Sequence, residues 1–205
     1  KFRLPFTVGY GMTEAAPLLA YEDWWDFASK SCGKPVDSVE VRIDSDDPVN
    51  KVGEIQAKGV SLMSGYYKNE EATKAAFTED GWMRTGDLGV MDASGNIFIR
   101  GRSKNMILSA NGQNIYPEEI EAVVNNQPYV IESVVVDRGA SLVALVYADS
   151  DKLAADSVNV EEQMNVLKAE VNKSMPSYSK ISKVEVMDAP FEKTPKMSIK
   201  RFMYK

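Results

Sequence analysis

Apolar and polar positions follow two different rhythms along this chain: short alternating runs over residues 1–100, and longer stripes and unbroken apolar stretches after residue 104. Residues 39–43 alternate with period two, as a half-exposed strand should. The acidic stretch that follows carries an Asp47-Pro48 turn signal, and residues 53–59 form the next strand. Residues 69–77 fit a short helix capped by Asn69, with Glu70 and Glu71 in the first turn favouring the helix dipole. Residues 90–100 read as strand, turn and strand, with Asp92-Ala93-Ser94-Gly95-Asn96 as the turn. Residues 2–8 read as a buried strand, and Pro17-Leu18-Leu19 as either an apolar pocket wall or the ordinary core packing of leucines after a turn. Short strands with regular turns predict a small distorted β-barrel in this part.

From Lys104 onward strands alternate with helices. Met106-Ile107-Leu108 is a strand entering an Asn111-Gly112 turn. Pro117 suits the first position of a helix, followed by Glu118 and Glu119, with Ile120, Val123 and Val124 as its apolar stripe. Residues 130–136 and 142–147 are β-branched or apolar runs joined by Asp137-Arg138-Gly139, a hairpin. Residues 160–175 predict a helix with Met164, Leu167, Val171 and Met175 on one face; these methionines read as core. Pro176 ends that helix, residues 183–186 are a last strand, and the chain closes in a basic tail. The fold class expected is mixed α/β, a β-rich part over residues 1–100 and a compact α+β domain of ordinary size over residues 105–205.

Charge and composition narrow the function. The 205 residues carry 24 Lys and Arg against 30 Asp and Glu, a formal net charge of -6, which argues against nucleic acid or an anionic membrane as the main partner. No apolar run approaches the roughly 20 residues of a transmembrane helix, and a cytoplasmic location is expected. The single cysteine, Cys32, leaves no internal disulfide and reads as a partly buried filler. Histidine is absent from the sequence, so neither Ser-His or Cys-His nucleophile pairs nor His-ligated zinc can be built from it.

The chemistry concentrates in two segments, GWMRTGDLG at 81–89 and GRSKNMI at 101–107. The hairpin between them sets Asp87 and Arg102 at its two open ends. A carboxylate that accepts two O–H bonds and a guanidinium that offers a rigid donor fork can together grip the vicinal hydroxyls of a ribose. The same spacing also suits an ordinary surface ion pair. Likewise Tyr10 alone reads as a packed core aromatic, and Glu14 as a solvated acid at a helix entry.

Together with VGYGMTE at 8–14 and GQNIYPEEIE at 112–121, and in this order, these segments resemble the adenylate-forming superfamily of acyl-CoA synthetases, luciferases and peptide-synthetase adenylation domains, and most closely fatty acyl-CoA ligases. That resemblance implies that a carboxylic acid and ATP give an acyl-adenylate and pyrophosphate, after which the thiol of coenzyme A displaces AMP. By the same match Glu14 binds Mg²⁺, Thr13 contacts phosphate, Tyr10 with Gly11 lies against the adenine, and Asp87 with Arg102 holds the ribose. Residues 101–104 become a hinge turning about Lys104, and Gly112, Gln113 and Asn114 a loop shaping the thiol tunnel. Residues 1–100 become the end of a large adenylate-binding domain, and residues 105–205 a mobile lid.

The tail departs from the family's pattern, close to Pro-Lys-Thr-x-x-Gly-Lys-Ile-x-Arg. Lys193, Thr194, Ile199 and Arg201 align with it, but Met197 stands at the glycine and Ser198 at the catalytic lysine. Either Lys196 or Lys200 supplies the missing charge, or adenylation proceeds without it. The family's upstream phosphate loop has no counterpart here, so the chain is expected to be the C-terminal part of a longer ligase, its partners the rest of that protein, a carboxylic acid such as a fatty acid, and coenzyme A, and to be inactive alone. Two other readings remain: a peptide-synthetase adenylation domain that loads a carrier protein, and a non-catalytic module with a decayed site.

Overall fold

A computed structural model describes residues 5–205 except 27, 110 and 140. The chain divides into two compact units, Lys1–Lys104 and Asn105–Lys205.

In the first unit β1 (Val8–Gly11) pairs antiparallel with β2 (Leu18–Glu22), which in turn pairs with β3 (Lys34–Pro35). A 3₁₀ turn over Thr13–Ala15 joins β1 to β2. The chain passes so close to itself there that a Cβ on Gly11 would lie 2.0 Å from the Pro17 carbonyl oxygen, which accepts the Met12 N–H at 2.7 Å. Glycine is therefore the residue this turn can hold. Of the strand expected over residues 2–8, residues 1–4 lie outside the described residues, residues 5–7 are exposed and outside any strand, and the ladder with Glu22 starts at Val8.

A second, four-stranded antiparallel sheet runs in the order β4 (Val39–Asp44), β5 (Gly53–Gly59), β6 (Met83–Met91), β7 (Ile97–Arg102). Between β5 and β6, α1 (Glu70–Ala76) starts at Asn69, whose side chain accepts the Ala72 N–H. Leu19, Ile55, Met83 and Ile97 are fully buried at the centre of this unit, and half-buried Cys32 packs against them. Burial pushes the Cys32 thiol above its ordinary range. The sheets stay open among the described residues: β7 does not return to β4, and four strands are too few to close a barrel.

On the outer side of the sheet, Arg42 donates to both oxygens of Asp80, at 2.6 and 3.1 Å, and its guanidinium lies 4.5 Å from the centre of the Trp82 ring. The Arg42 hydrogen bonds, helped by Thr78, hold the Asp80 carboxyl down to about 2. A depressed acid stabilises the fold above its unfolded value and loses that contribution as pH falls through the folded one. We expect carboxyl NMR to show Asp80 titrating near pH 2, and Arg42→Ala to return it toward the ordinary aspartate range. An unchanged midpoint in the variant would dismiss the pair as its cause.

The second unit opens with a ribbon of β8 (Ile107–Leu108) and β9 (Asn114–Ile115), followed by α2 (Pro117–Val124) with proline at its start. Its main sheet runs β10 (Val130–Asp137), β11 (Leu142–Ala148), β12 (Ile181–Val186); β10 is antiparallel to β11 and β12 parallel to it. The crossover carries α3 (Ser150–Ala155) and α4 (Val160–Ser174), with Asp149 and Asn159 accepting the first free N–H groups of the two helices. Met164, Leu167 and Val171 of α4 pack with Ile120 and Val124 of α2 over one face of the sheet. Val134, Val136, Val143 and Leu145 point to the other face, where Phe191, Ile199 and Tyr204 of the tail cover them. Covered on both faces, β10 and β11 need the unbroken apolar runs that the sequence shows. No helix among the described residues is long and apolar enough to cross a membrane.

Candidate functional site

Along β6, Met83, Thr85, Asp87 and Gly89 all fall on the buried side. The ladder with β5 slips here: Glu54 faces Leu88 and Gln56 faces Arg84, so one residue of β5 opposes three of β6. Gly86, at φ +72°, makes the bulge possible. Thr85 anchors it, donating to the Ile55 carbonyl at 2.7 Å and accepting the Asp87 N–H at 3.1 Å. The result is a carboxylate 6% exposed, a placement that demands partners.

Asp87 has them. Its Oδ2 accepts the Tyr10 hydroxyl at 2.7 Å, and its Oδ1 lies 2.7 Å from Nε of Arg102, the residue directly opposite in the β6–β7 ladder. Burial, and then the Asp87 charge, push the Tyr10 hydroxyl well above its ordinary range, so it stays a donor. The Tyr10 ring, 7% exposed, packs among the core residues of the first unit, and its hydroxyl is the group that meets Asp87.

Thr13 and Glu14 lie on the 3₁₀ turn between β1 and β2, Thr13 exposed and Glu14 half-exposed. Glu14 Oε1 accepts the Tyr66 hydroxyl at 3.0 Å, a hydrogen bond that raises the Tyr66 phenol, and its carbonyl accepts the Met63 N–H. Tyr66 was not anticipated, since nothing local in the sequence ties residue 66 to residue 14. Leu18 and Leu19 do not form one wall: Leu19 is fully buried in the core while Leu18 is exposed. Lys104 is exposed within a 3₁₀ turn over Ser103–Asn105, at the end of the first unit. Tyr10, Gly11, Thr13, Glu14, Asp87, Arg102 and Lys104 thus belong to the first unit, and Gly112, Gln113, Asn114, Lys196, Ser198 and Lys200 to the second.

Gly112 (φ +77°), Gln113 and Asn114 form an exposed turn closed by three hydrogen bonds on Ser109, including Gln113 N–H to its Oγ at 2.9 Å. The tail folds into a small hairpin: Lys193 and Ile199 bridge, and the Thr194 N–H donates to the Ser198 carbonyl at 2.8 Å. Met197 sits in its turn at φ +62°, the backbone that favours glycine, so the turn keeps the register of the aligned pattern and Ser198 follows it directly. Lys196 is exposed at the tip, and Lys200 lies 3.5 Å from Glu192. The tail's other anchors, Phe191, Tyr204 and Arg201, were not legible as such in a basic terminal run.

No cluster of three or more Cys, Asp or Glu suited to a metal forms among the described residues. The lone Glu14 carboxylate fits a Mg²⁺ carried mainly by nucleotide phosphates and water, which needs only one or two protein oxygens.

Residues 1–67 match the model of the AMP-binding enzyme family, and residues 104–204 that of the AMP-binding enzyme C-terminal domain. The chain belongs to the AMP-binding enzyme family. It is 32% identical over 94% of its length to the long-chain-fatty-acid–CoA ligase FadD15 of Mycobacterium bovis, of which it covers 35%. To the long-chain-fatty-acid–CoA ligase of Escherichia coli it is 43% identical over 60% of its length, covering 23% of that protein. The solved O-succinylbenzoate coenzyme A synthetase of Bacillus subtilis, in complex with ATP and magnesium, superposes with a TM-score of 0.84 at 28% identity, over 97% of this chain and 41% of that one. The chain therefore spans about a third or less of the length of these curated relatives.

Proposed function

We propose that the whole protein is an AMP-forming acyl-CoA ligase, for which this chain supplies the ribose grip, the magnesium-binding acid and the lid. The observation that carries this is Asp87, a nearly buried carboxylate turned inward by a glycine bulge and met by Tyr10 and Arg102. A purely structural strand would place an apolar residue there. The names of the relatives, ligases of fatty acids and of O-succinylbenzoate, support coenzyme A as the thiol acceptor and a carboxylic acid as the substrate.

In this reading Asp87 accepts the ribose hydroxyls, Tyr10 orients Asp87 from behind, and Arg102 balances its charge. Thr13 donates to phosphate from the exposed turn, with Gly11 allowing that turn to close tightly. When bound through Glu14, Mg²⁺ supplies charge neutralisation at the phosphates. The substrate carboxylate attacks the α-phosphorus and pyrophosphate leaves; the thiolate of coenzyme A then attacks the acyl carbon and AMP leaves. The barrier in the first step is the approach of two anions, so positioned positive charge is what the protein must provide. We assign that charge to the tail, the change of lid orientation between steps to Lys104, and the thiol approach to Gly112, Gln113 and Asn114.

The test is ATP–pyrophosphate exchange by the full-length protein across a panel of carboxylic acids from acetate to palmitate, followed by coenzyme A thioester formation. Exchange dependent on one class of acid is expected, and none from the 205-residue chain alone. A full-length protein that binds ATP yet exchanges pyrophosphate with no acid would leave the non-catalytic module as the better account.

A further inference from the structure

The tail hairpin that carries Lys196, Ser198 and Lys200 is tied down at both ends by ion pairs to poorly exposed carboxylates. At its entry, Lys193 Nζ lies 2.6 Å from Glu132 Oε2, and the other oxygen of Glu132 accepts the Phe191 N–H at 3.1 Å. At its exit, Arg201 pairs with Glu121 of α2, whose side chain is 8% exposed. Glu121 is itself fixed: its Oε1 accepts the Val135 N–H at 2.6 Å, on the edge strand β10. Arg201 also lies 3.9 Å from Glu118, which accepts from the Asn105 side chain at 2.6 Å. One guanidinium thus joins the tail to α2, to the β10 edge and to the residue that follows Lys104.

A charged group sunk this far is an expensive way to hold a terminus, since burial opposes its ionisation and raises the Glu121 carboxyl in spite of Arg201. The apolar contacts of Phe191 and Tyr204 already hold the tail to the sheet, so adhesion alone does not call for it. What the pair adds is direction: Nη2 of the guanidinium is held by Glu121, with Glu118 3.9 Å away, which restricts the angle at which the hairpin leaves the domain.

We propose that Arg201 is a positioning residue, whose pair with Glu121 sets the place of the tail hairpin and so of the charge delivered to the reacting phosphate. The second half of this rests on the ligase reading; the first does not. In the 205-residue chain, Arg201→Ala is expected to speed amide exchange at Thr194, Met197 and Lys200 by about tenfold or more, leaving Val143 and Leu145 unchanged. Because that variant strands a buried carboxylate, the neutral double variant Glu121→Gln/Arg201→Gln is measured beside it, with the same expectation. In the full-length protein carrying Ser198→Lys, which restores the charge to the hairpin, both variants should lower kcat for pyrophosphate release from ATP and dodecanoate on the order of 100-fold, with KM for ATP within about threefold. Conversion of supplied dodecanoyl-adenylate and coenzyme A to thioester should persist.

Unchanged tail exchange in both variants overturns the clasp, whatever the activity. Faster exchange with adenylation intact, or with both half-reactions lost equally, overturns the positioning role. A parent protein that makes no adenylate from any acid removes the ligase reading and with it the positioning role, while the exchange result still decides the clasp.

Discussion

Asp87→Asn in the full-length protein is expected to lower kcat/KM for ATP in pyrophosphate exchange on the order of 100-fold, with the fold retained. The reasoning starts from the bulge at Gly86, which turns Asp87 inward between Tyr10 and Arg102. Asparagine keeps the volume but exchanges one acceptor oxygen for a donor, which must then face either the Tyr10 hydroxyl or the Arg102 guanidinium. It also removes the charge that strengthens any hydroxyl bond made to the group; hydrogen bonds to charged partners contribute about 1.5–3 kcal/mol each, and two are at stake. Arg102 is half-exposed and can turn to water, so stability should suffer less than activity. Thermal melting of the 205-residue chain separates the two effects. A variant that exchanges pyrophosphate at the parental rate would remove Asp87 from nucleotide binding.

Ser198→Lys is expected to raise the adenylation rate, also on the order of 100-fold, and to leave thioester formation from supplied acyl-adenylate unchanged. Losing one preorganised charge contact typically has a cost of that size, and a serine hydroxyl provides no charge. The turn geometry favours this over a shifted register. Met197 holds the left-handed backbone of the aligned glycine, so residue 198 stands where the pattern's lysine would. Lys196 lies at the exposed tip of the turn, and Lys200 is drawn toward Glu192 and emerges two residues later. Lys196→Ala and Lys200→Ala should each matter less than Ser198→Lys does. If either alanine variant abolishes adenylation while Ser198→Lys changes nothing, that lysine has taken over the role; if none of the three has any effect, the tail carries no catalytic charge.

Local signals were read well from the sequence. The cap at Asn69, proline at the start of α2, the stripe of Met164, Leu167 and Val171, and the hairpin turn at 92–96 each depend on residues within one or two turns of each other. The pairing of Asp87 with Arg102 was visible as well, because a hairpin makes distant numbers adjacent by a countable register. Pairings across the fold were not. Tyr10 meets Asp87 across 77 positions and Tyr66 meets Glu14 across 52, and no periodicity encodes such contacts. The strand expected over residues 2–8 fails at residues 5–7 for the same reason, since only the ladder with β2 decides where β1 begins. The tail hid its role behind its charge: Phe191 and Tyr204 are too widely spaced to show a stripe, yet they cover a whole face of the sheet.

The parallel pairing of β12 with β11 has a consequence for how the second unit assembles. An antiparallel neighbour can zip up from a turn, as β10 and β11 do. A parallel one must wait until the chain has travelled back along the sheet, here through α3 and α4. Closing that detour is the long-range, entropically slow event of the unit, and the tail hairpin follows it in sequence. On a ribosome, the β10–β11 hairpin and both crossover helices leave the exit tunnel before the final strand does. Because α4 packs against β12 and the charged hairpin follows that strand, the hairpin can find its seat in this unit only after the crossover has closed.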